Sequence, residues 1–168
     1  MPTTGPQGTS IRPATAGDYE AVARLHHHLD AMHADALPRL FRLPPEGAYT
    51  PDRYRGELAD PDVGFFVAER GGQVVGMAHV SLGDTKPYPV IVPRRVATVN
   101  DLVVDERQRR SGIGRALVEQ AASWATARGA DELELSVYVF NAGAMAFYSA
   151  MGFTVLSSRM IRSGVGKE

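Results

Sequence analysis

Residues 96–120, "VATVNDLVVDERQRRSGIGRALVEQ", pass from an apolar run through a charged segment into a helical pattern. The apolar run carries β-branched residues on both faces, as a strand at the centre of a sheet does. Downstream, Ile113, Leu117, Ala121, Trp124 and Ala125 recur at helical spacing, and Gly129 stands where helices end in the left-handed conformation. Between the two lie Gly112 and Gly114, flanked by Arg109, Arg110 and Arg115. A strand, a glycine loop and a helix start form an anion cradle: the backbone comes close, its N–H groups converge, and the helix dipole adds positive potential. Two familiar phosphate loops do not fit. A P-loop ends in Gly-Lys-Ser/Thr where this chain has Gly-Arg-Ala, and a dinucleotide loop needs a third glycine where Leu117 stands.

The whole chain narrows the choice of anion. Its 168 residues suit one domain with a buried core, and 44% hydrophobic with 22% charged residues are ordinary globular values. A net charge of -1 argues against coating nucleic acid, so the arginines of the loop are a local device. The chain has no cysteine, which excludes disulfides, thiolate metal sites and cysteine nucleophiles. Without a long apolar run or a signal-like start, the expectation is a cytoplasmic protein that does not bind membranes. Residues 1–9, rich in Thr, Gly and Pro, are expected to be a disordered segment, with the domain over 10–162 and a tail over 163–168.

Working outward, "SIRPAT" reads as a short strand. A helix follows with Tyr19, Val22, Leu25, Leu29 and Met32 on one face, capped by Thr15 or Asp18 and ended by Pro38. The proline-rich 38–61 segment is read as a loop with a short helix near 52–58, placed to cover a site. "VGFFVAERGGQVVGMAHVSL" is an antiparallel hairpin turning at Gly71-Gly72. "DELELSVYVF" is a strand, "NAGAMAFYSAM" a helix stopped by Gly152, and "FTVLSSRMI" a last strand. This order describes an α/β fold: one domain with a mixed sheet and helices on its faces.

Arg109-Arg110-Ser111-Gly112-Ile113-Gly114 matches Gln/Arg-x-x-Gly-x-Gly/Ala, the coenzyme signature of the Gcn-five-related N-acetyltransferase (GNAT) superfamily, which the chain resembles. "NDLVVDERQR" is similar to that family's central strand and its exit. Asn141, Ala144, Phe147, Tyr148, Gly152 and Phe153 match a second signature, Asn-x-x-Ala-x-x-Phe-Tyr-x-x-x-Gly-Phe. The resemblance spans residues 11–161 and is strongest over 98–153.

The resemblance implies a central sheet splayed at its middle strands, helices on both faces, and transfer of an acetyl group from acetyl-CoA to a primary amine by direct attack in a ternary complex. It implies that the CoA pyrophosphate lies on Arg109, Arg110, Ser111, Gly112, Ile113, Gly114 and Arg115. The pantetheine arm is expected along Leu102, Val103 and Val104, with Asn141, Ala144 and Phe147 beside it. Tyr148 resembles the tyrosine that protonates the departing thiolate. Many relatives carry a glutamate where this chain has Asn100, and an amide is not a base. Either Asn100 orients a water, or Asp101, Glu134, His79 or a residue of the 38–61 loop takes the proton. Unbroken alternation puts Asn100 on the face of Leu102 and Val104 and Asp101 on the other, which ranks Asp101 low. The loss of the glutamate also motivates an alternative, an acyl-CoA sensor that binds without turnover; a protein N-acetyltransferase is a second.

His26, His27, His28 and His33 lack the i, i+4 spacing of a zinc helix, so no metal is expected and the group reads as a solvated face with one histidine turned towards substrate. The acceptor implied is a small-molecule amine, with no nucleic acid, and compact relatives suggest a homodimer.

Overall fold

The computed structural model describes residues 3–4, 6–44 and 48–163. It falls into two compact units, Met1–Ser136 and Val137–Glu168. The first unit holds a six-stranded sheet with strands in chain order: β1 (Thr3–Thr4), β2 (Thr9–Pro13), β3 (Val63–Arg70), β4 (Gln73–Asp84), β5 (Arg95–Val104) and β6 (Glu132–Leu135). The first five are antiparallel neighbours and β6 runs parallel to β5, so the sheet is mixed. Helix α1 (Tyr19–Ala36) and helix α2 (Pro51–Ala59) precede the hairpin, and α3 (Ile113–Thr126) makes the crossover from β5 to β6.

Both faces are covered. Val22 and Leu25 of α1 and Tyr54 of α2 pack with Phe65, Val67, Met77 and Val103 on one face. Ile113 and Leu117 of α3 pack with Ile11, Phe66, Ala68, Val75 and Ala78 on the other, a layer continued by Ala121 and Ala125 on Val80, Leu82, Ala97 and Val99. The β3–β4 turn is Gly71-Gly72, with φ of +58° and +74°, the left-handed pair that a tight hairpin needs. Where the sequence suggests a disordered start, Thr4 pairs with Ser10, Pro6–Gly8 forms a 3-10 turn and Thr9 is buried. Met1, Pro2 and Gly5 lie outside the described residues, as do residues 164–168 of the expected tail.

Polar contacts fix the entry to α1. Asp18 accepts from two Arg12 nitrogens at 2.8 Å each and from the Thr15 N–H and hydroxyl at 2.8 Å. The Arg12 hydrogen bonds, against partial burial and with help from Thr15, hold the Asp18 carboxyl down at about 2. A lowered folded-state value stabilises above the unfolded value near 4, and that contribution is lost as pH falls through about 2. Asp18→Asn is therefore expected to cost about 2 kcal/mol at pH 7 and to flatten the loss of stability between about pH 4 and pH 2, as read by urea denaturation across that range.

The second unit contains α4 (Ala142–Ala150), closed by Gly152 at φ +90°. The predicted last strand is absent: residues 154–163 carry no regular structure, and Val155, Leu156, Met160 and Ile161 are exposed. The strand read from "DELELSVYVF" is also shorter than its apolar pattern suggests and stops at Leu135. Period-two alternation marks a segment able to join a sheet, while forming the strand requires a partner edge, which the segment itself does not encode.

Candidate functional site

The end of β5 and the start of α3 are joined by a loop fixed at several points. The Asp105 carboxylate accepts from the Arg107 N–H at 3.1 Å and pairs with Arg24 at 3.2 Å. Residues Glu106–Gln108 make one 3-10 turn, and the Gln108 side chain accepts from Arg70 at 2.8 Å. The Ser111 hydroxyl donates to the Gln108 carbonyl. Arg110 has φ +60° and Gly112 φ +84°, so left-handed residues interrupt the chain just before the helix. Such alternation turns successive N–H groups towards one point and makes an anion nest.

Gly112 is the N-cap of α3 and has no side chain to cap with. The first helical bond runs from Ala116 N–H to the Gly112 carbonyl, so the N–H groups of Ile113, Gly114 and Arg115 have no intrahelical acceptor. No acidic residue stands in the first turn. Ser, Thr, Asp or Asn at this position would occupy these donors; glycine leaves them for a ligand.

Beside the loop, β5 outruns its neighbour. Pairing with β6 extends from Val96 opposite Glu132 to Val99 opposite Leu135, while pairing with β4 continues to Val104 opposite Gly76. From Asn100 onward the β6 side of β5 is unpaired among the described residues. This is the splay expected from the sequence, and it brings Leu102, Val103 and Val104 next to Arg109–Arg115 of the loop. The Arg109 side chain donates to the Val104 carbonyl at 3.3 Å.

The β4–β5 register carries a bulge that the sequence reading missed. His79 pairs with Asp101 and Val80 with Val99, leaving Asn100 as the extra residue. Before the bulge Ala97 and Val99 face α3; after it Leu102 packs on that side. The bulge therefore sets Asn100 and Asp101 on the same face as α1 and α2. Asn100 donates to Ser81 Oγ at 2.9 Å, and Asp101 Oδ2 lies 3.2 Å from His79 Nδ1. This corrects the placement of Asn100 on the face of Leu102 and Val104; Asp101 lies on the opposite face, as alternation had it, and Asn100 joins it there. Burial would raise Asp101, but the His79 hydrogen bond and the nearby His26, His79 and Arg53 hold it below the ordinary carboxylate value.

Around this pair, the His26 ring stacks on Tyr49 at 3.8 Å, and the Tyr49 hydroxyl donates to Glu57, which also pairs with Arg53 at 2.9 Å. His26 is buried, unlike the solvated face expected of its helix, and burial pushes its pKa down. His27 and His28 are exposed, and no cluster of three or more ligand-type side chains occurs among the described residues. Further along the same face, Ser81, Gly83, Asp84, Thr98 and Glu134 line an open groove of about 250 Å³.

The remaining site candidates belong to the second unit. Asn141 caps α4, its Oδ1 accepting from the Ala144 N–H at 3.0 Å. Tyr148 meets Phe147 and Phe153 edge to face, at 5.1 and 5.5 Å between ring centres. Burial pushes the Tyr148 hydroxyl up to about 12, so it stays a proton donor through neutral pH.

Residues 29–153 match the model of the acetyltransferase (GNAT) family. The chain belongs to the GNAT family. Consistent with that membership, a crystal structure of the Bacillus halodurans protein BH1408, a point mutant, superimposes with a TM-score of 0.88 at 31% identity, covering 92% of this chain and 99% of that one. Mycothiol acetyltransferase of Amycolatopsis mediterranei is 31% identical over 88% of this chain and 46% of its own length. An aminoglycoside N-acetyltransferase in complex with CoA shares the GNAT fold at a TM-score of 0.69 and 18% identity, over 92% of this chain and 98% of that one. The chain spans less than half the length of the first curated relatives it matches. No helix among the described residues is long and apolar enough to cross a membrane.

Proposed function

We propose that the protein is a cytoplasmic acetyltransferase that moves the acetyl group of acetyl-CoA to the primary amine of a small molecule by direct attack in a ternary complex. The observation that carries this reading is the uncapped start of α3: three N–H donors and a left-handed Gly112, directly beside a β5 edge that carries no strand among the described residues. A diphosphate fits the donors, and an extended pantetheine arm fits the edge at Leu102 and Val104, where it would add backbone hydrogen bonds as a further strand does. Arg109, Arg110 and Arg115 add charge for the phosphates, the first by releasing Val104. Asn141, Ala144 and Phe147 are assigned to the pantetheine and Tyr148 to the leaving thiolate, on the match to the second signature.

Small-molecule acceptors are favoured by the names of the relatives, which include a mycothiol and an aminoglycoside enzyme. Asn100, bonded to Ser81 and exposed, is assigned to orienting a water or the acceptor. The active unit is proposed to be a homodimer, with neither nucleic acid nor membrane as partner.

Titration calorimetry with acetyl-CoA is expected to show binding at micromolar coenzyme, and thiol release across a panel of amines to exceed hydrolysis for at least one. Binding without thiol release above hydrolysis for any amine establishes instead the sensor reading, which the replacement of glutamate by Asn100 motivates.

A further inference from the structure

The groove and the bulge together pose a chemical question that Asn100 does not answer: where the acceptor's proton goes. An amine reaches the site as an ammonium ion, and its nitrogen attacks a thioester only after losing a proton. Glu134 lines the groove at its exposed mouth, close to Thr98. Asp101 lies deeper on the same face, one residue beyond the groove-lining Ser81 and its partner Asn100, and its side chain is only 17% exposed.

The surroundings of Asp101 differ from those of the arginine-paired carboxylates of the first unit. Arg12 neutralises Asp18 and Glu69, Arg53 neutralises Glu57, and Arg94 neutralises Glu132. Asp101 is paired with His79, whose ring is stacked on Phe65 and itself buried. Because a carboxylate only accepts, His79 Nδ1 carries the proton of that bond, and the buried His79 Nε2 has no hydrogen-bond partner among the described residues. A mostly buried carboxylate with one histidine as its ion-pair partner is expensive to bury, and a cation bound from outside offsets that cost. Asp101 also stands on the stretch of β5 whose free edge receives the pantetheine arm in the reading above, and the assignment rests on that reading.

We propose that Asp101, held in place by His79, binds the acceptor ammonium and takes its proton. The ammonium gives one proton to the Asp101 carboxylate, and the freed lone pair forms the C–N bond at the thioester carbonyl. The C–S bond breaks as the tetrahedral intermediate collapses, its electron pair leaving on sulfur. The thiolate takes a proton from Tyr148, as assigned above, the second nitrogen-bound proton balances that one, and Asp101 returns its proton to water through the groove. His79 is a positioning residue, since its ring is closed off from solvent.

The test uses three readouts on the full chain: calorimetric binding of acetyl-CoA, thiol release with the best amine of the panel, and kcat/KM from about pH 4 to about pH 10. Asp101→Asn keeps the shape and an acceptor for His79 but not the basicity. It is expected to bind acetyl-CoA as wild type does and to lose about 100-fold in kcat/KM at pH 7, with the deficit shrinking towards pH 10 as the amine becomes neutral unaided. His79→Gln is the second variant and the safeguard if the first does not fold. Glutamine offers at most a neutral amide donor and so opposes less of the burial that raises Asp101, which should move the acid limb of the kcat/KM profile to higher pH. The groups facing the pair that shape this limb are His26 and Asp30 from α1, Tyr49 before α2, and Arg53 and Glu57 from α2. An Asp101→Asn enzyme within threefold of wild type, a loss equal at every pH, or an unmoved acid limb in His79→Gln overturns the assignment while leaving acetyl transfer standing. Wild-type protein that binds acetyl-CoA and turns over no amine removes the transfer reading, and the assignment with it.

Discussion

Gly112→Val is expected to weaken acetyl-CoA binding on the order of 100-fold, while Arg110→Ala costs roughly tenfold or less. Gly112 sits at φ +84°, where a β-branched residue is strained, and a Cβ there would stand 3.0 Å from Pro6 Cγ. Relief of that strain rotates the peptide planes at the start of α3 and takes the converging N–H groups out of line. Two charge-assisted hydrogen bonds to phosphate, at about 1.5–3 kcal/mol each, account for a loss of this size. Arg110→Ala removes a flexible, exposed charge and leaves the donors where they are. Calorimetric titration of both variants, with thermal melts to confirm that each is folded, decides the ranking. The reverse order would mean that the loop binds through its charge and that the backbone nest is incidental.

Leu117→Ala is expected to destabilise the fold by about 3 kcal/mol, the middle of the range for fully buried leucines. Leu117 has no exposed surface and packs with Ile113 against Phe66, Ala78 and the rest of the β2–β4 layer. Methyl groups of both residues also lie within 3.3 and 3.4 Å of a Cβ built on Gly76, so helix and strand approach closely and little can collapse into the cavity. For a chain of this length the loss lowers Tm by roughly 10 °C. The volume-conserving Leu117→Met should cost under about 1.5 kcal/mol. A loss below 1 kcal/mol for the alanine variant in urea denaturation would show that the layer relaxes around the gap. Because Ile113 is both a core residue and the first residue of α3, the alanine variant is also expected to loosen the anion loop before the sheet opens.

The two glycines and the helix period of 113–125 made the loop, the crossover helix and the centre of the sheet legible in the sequence, because local chemistry determines them. The α1 and α2 helices and the Gly71-Gly72 hairpin were readable for the same reason. What stayed hidden depends on pairing between distant residues. The offset at Asn100 is a property of the β4–β5 ladder; nothing in "TVNDLVV" departs from simple alternation, so Asn100 was placed by a count that the ladder breaks. His26 looked like one more histidine on a polar face until Tyr49, supplied by a loop 23 positions on, covered its ring. The last strand failed for the complementary reason: its apolar pattern is local, and its partner is not.

The glycine that opens α3 carries one further consequence. A helix of 14 residues that begins on glycine forgoes roughly a few tenths of a kcal/mol that serine or aspartate would have given it. A ligand whose oxygens meet those donors supplies the missing cap, so the helix is finished by a molecule the chain does not encode. The rigidity of the whole crossover then varies with the concentration of that molecule, and the empty protein is softest where its ligand enters.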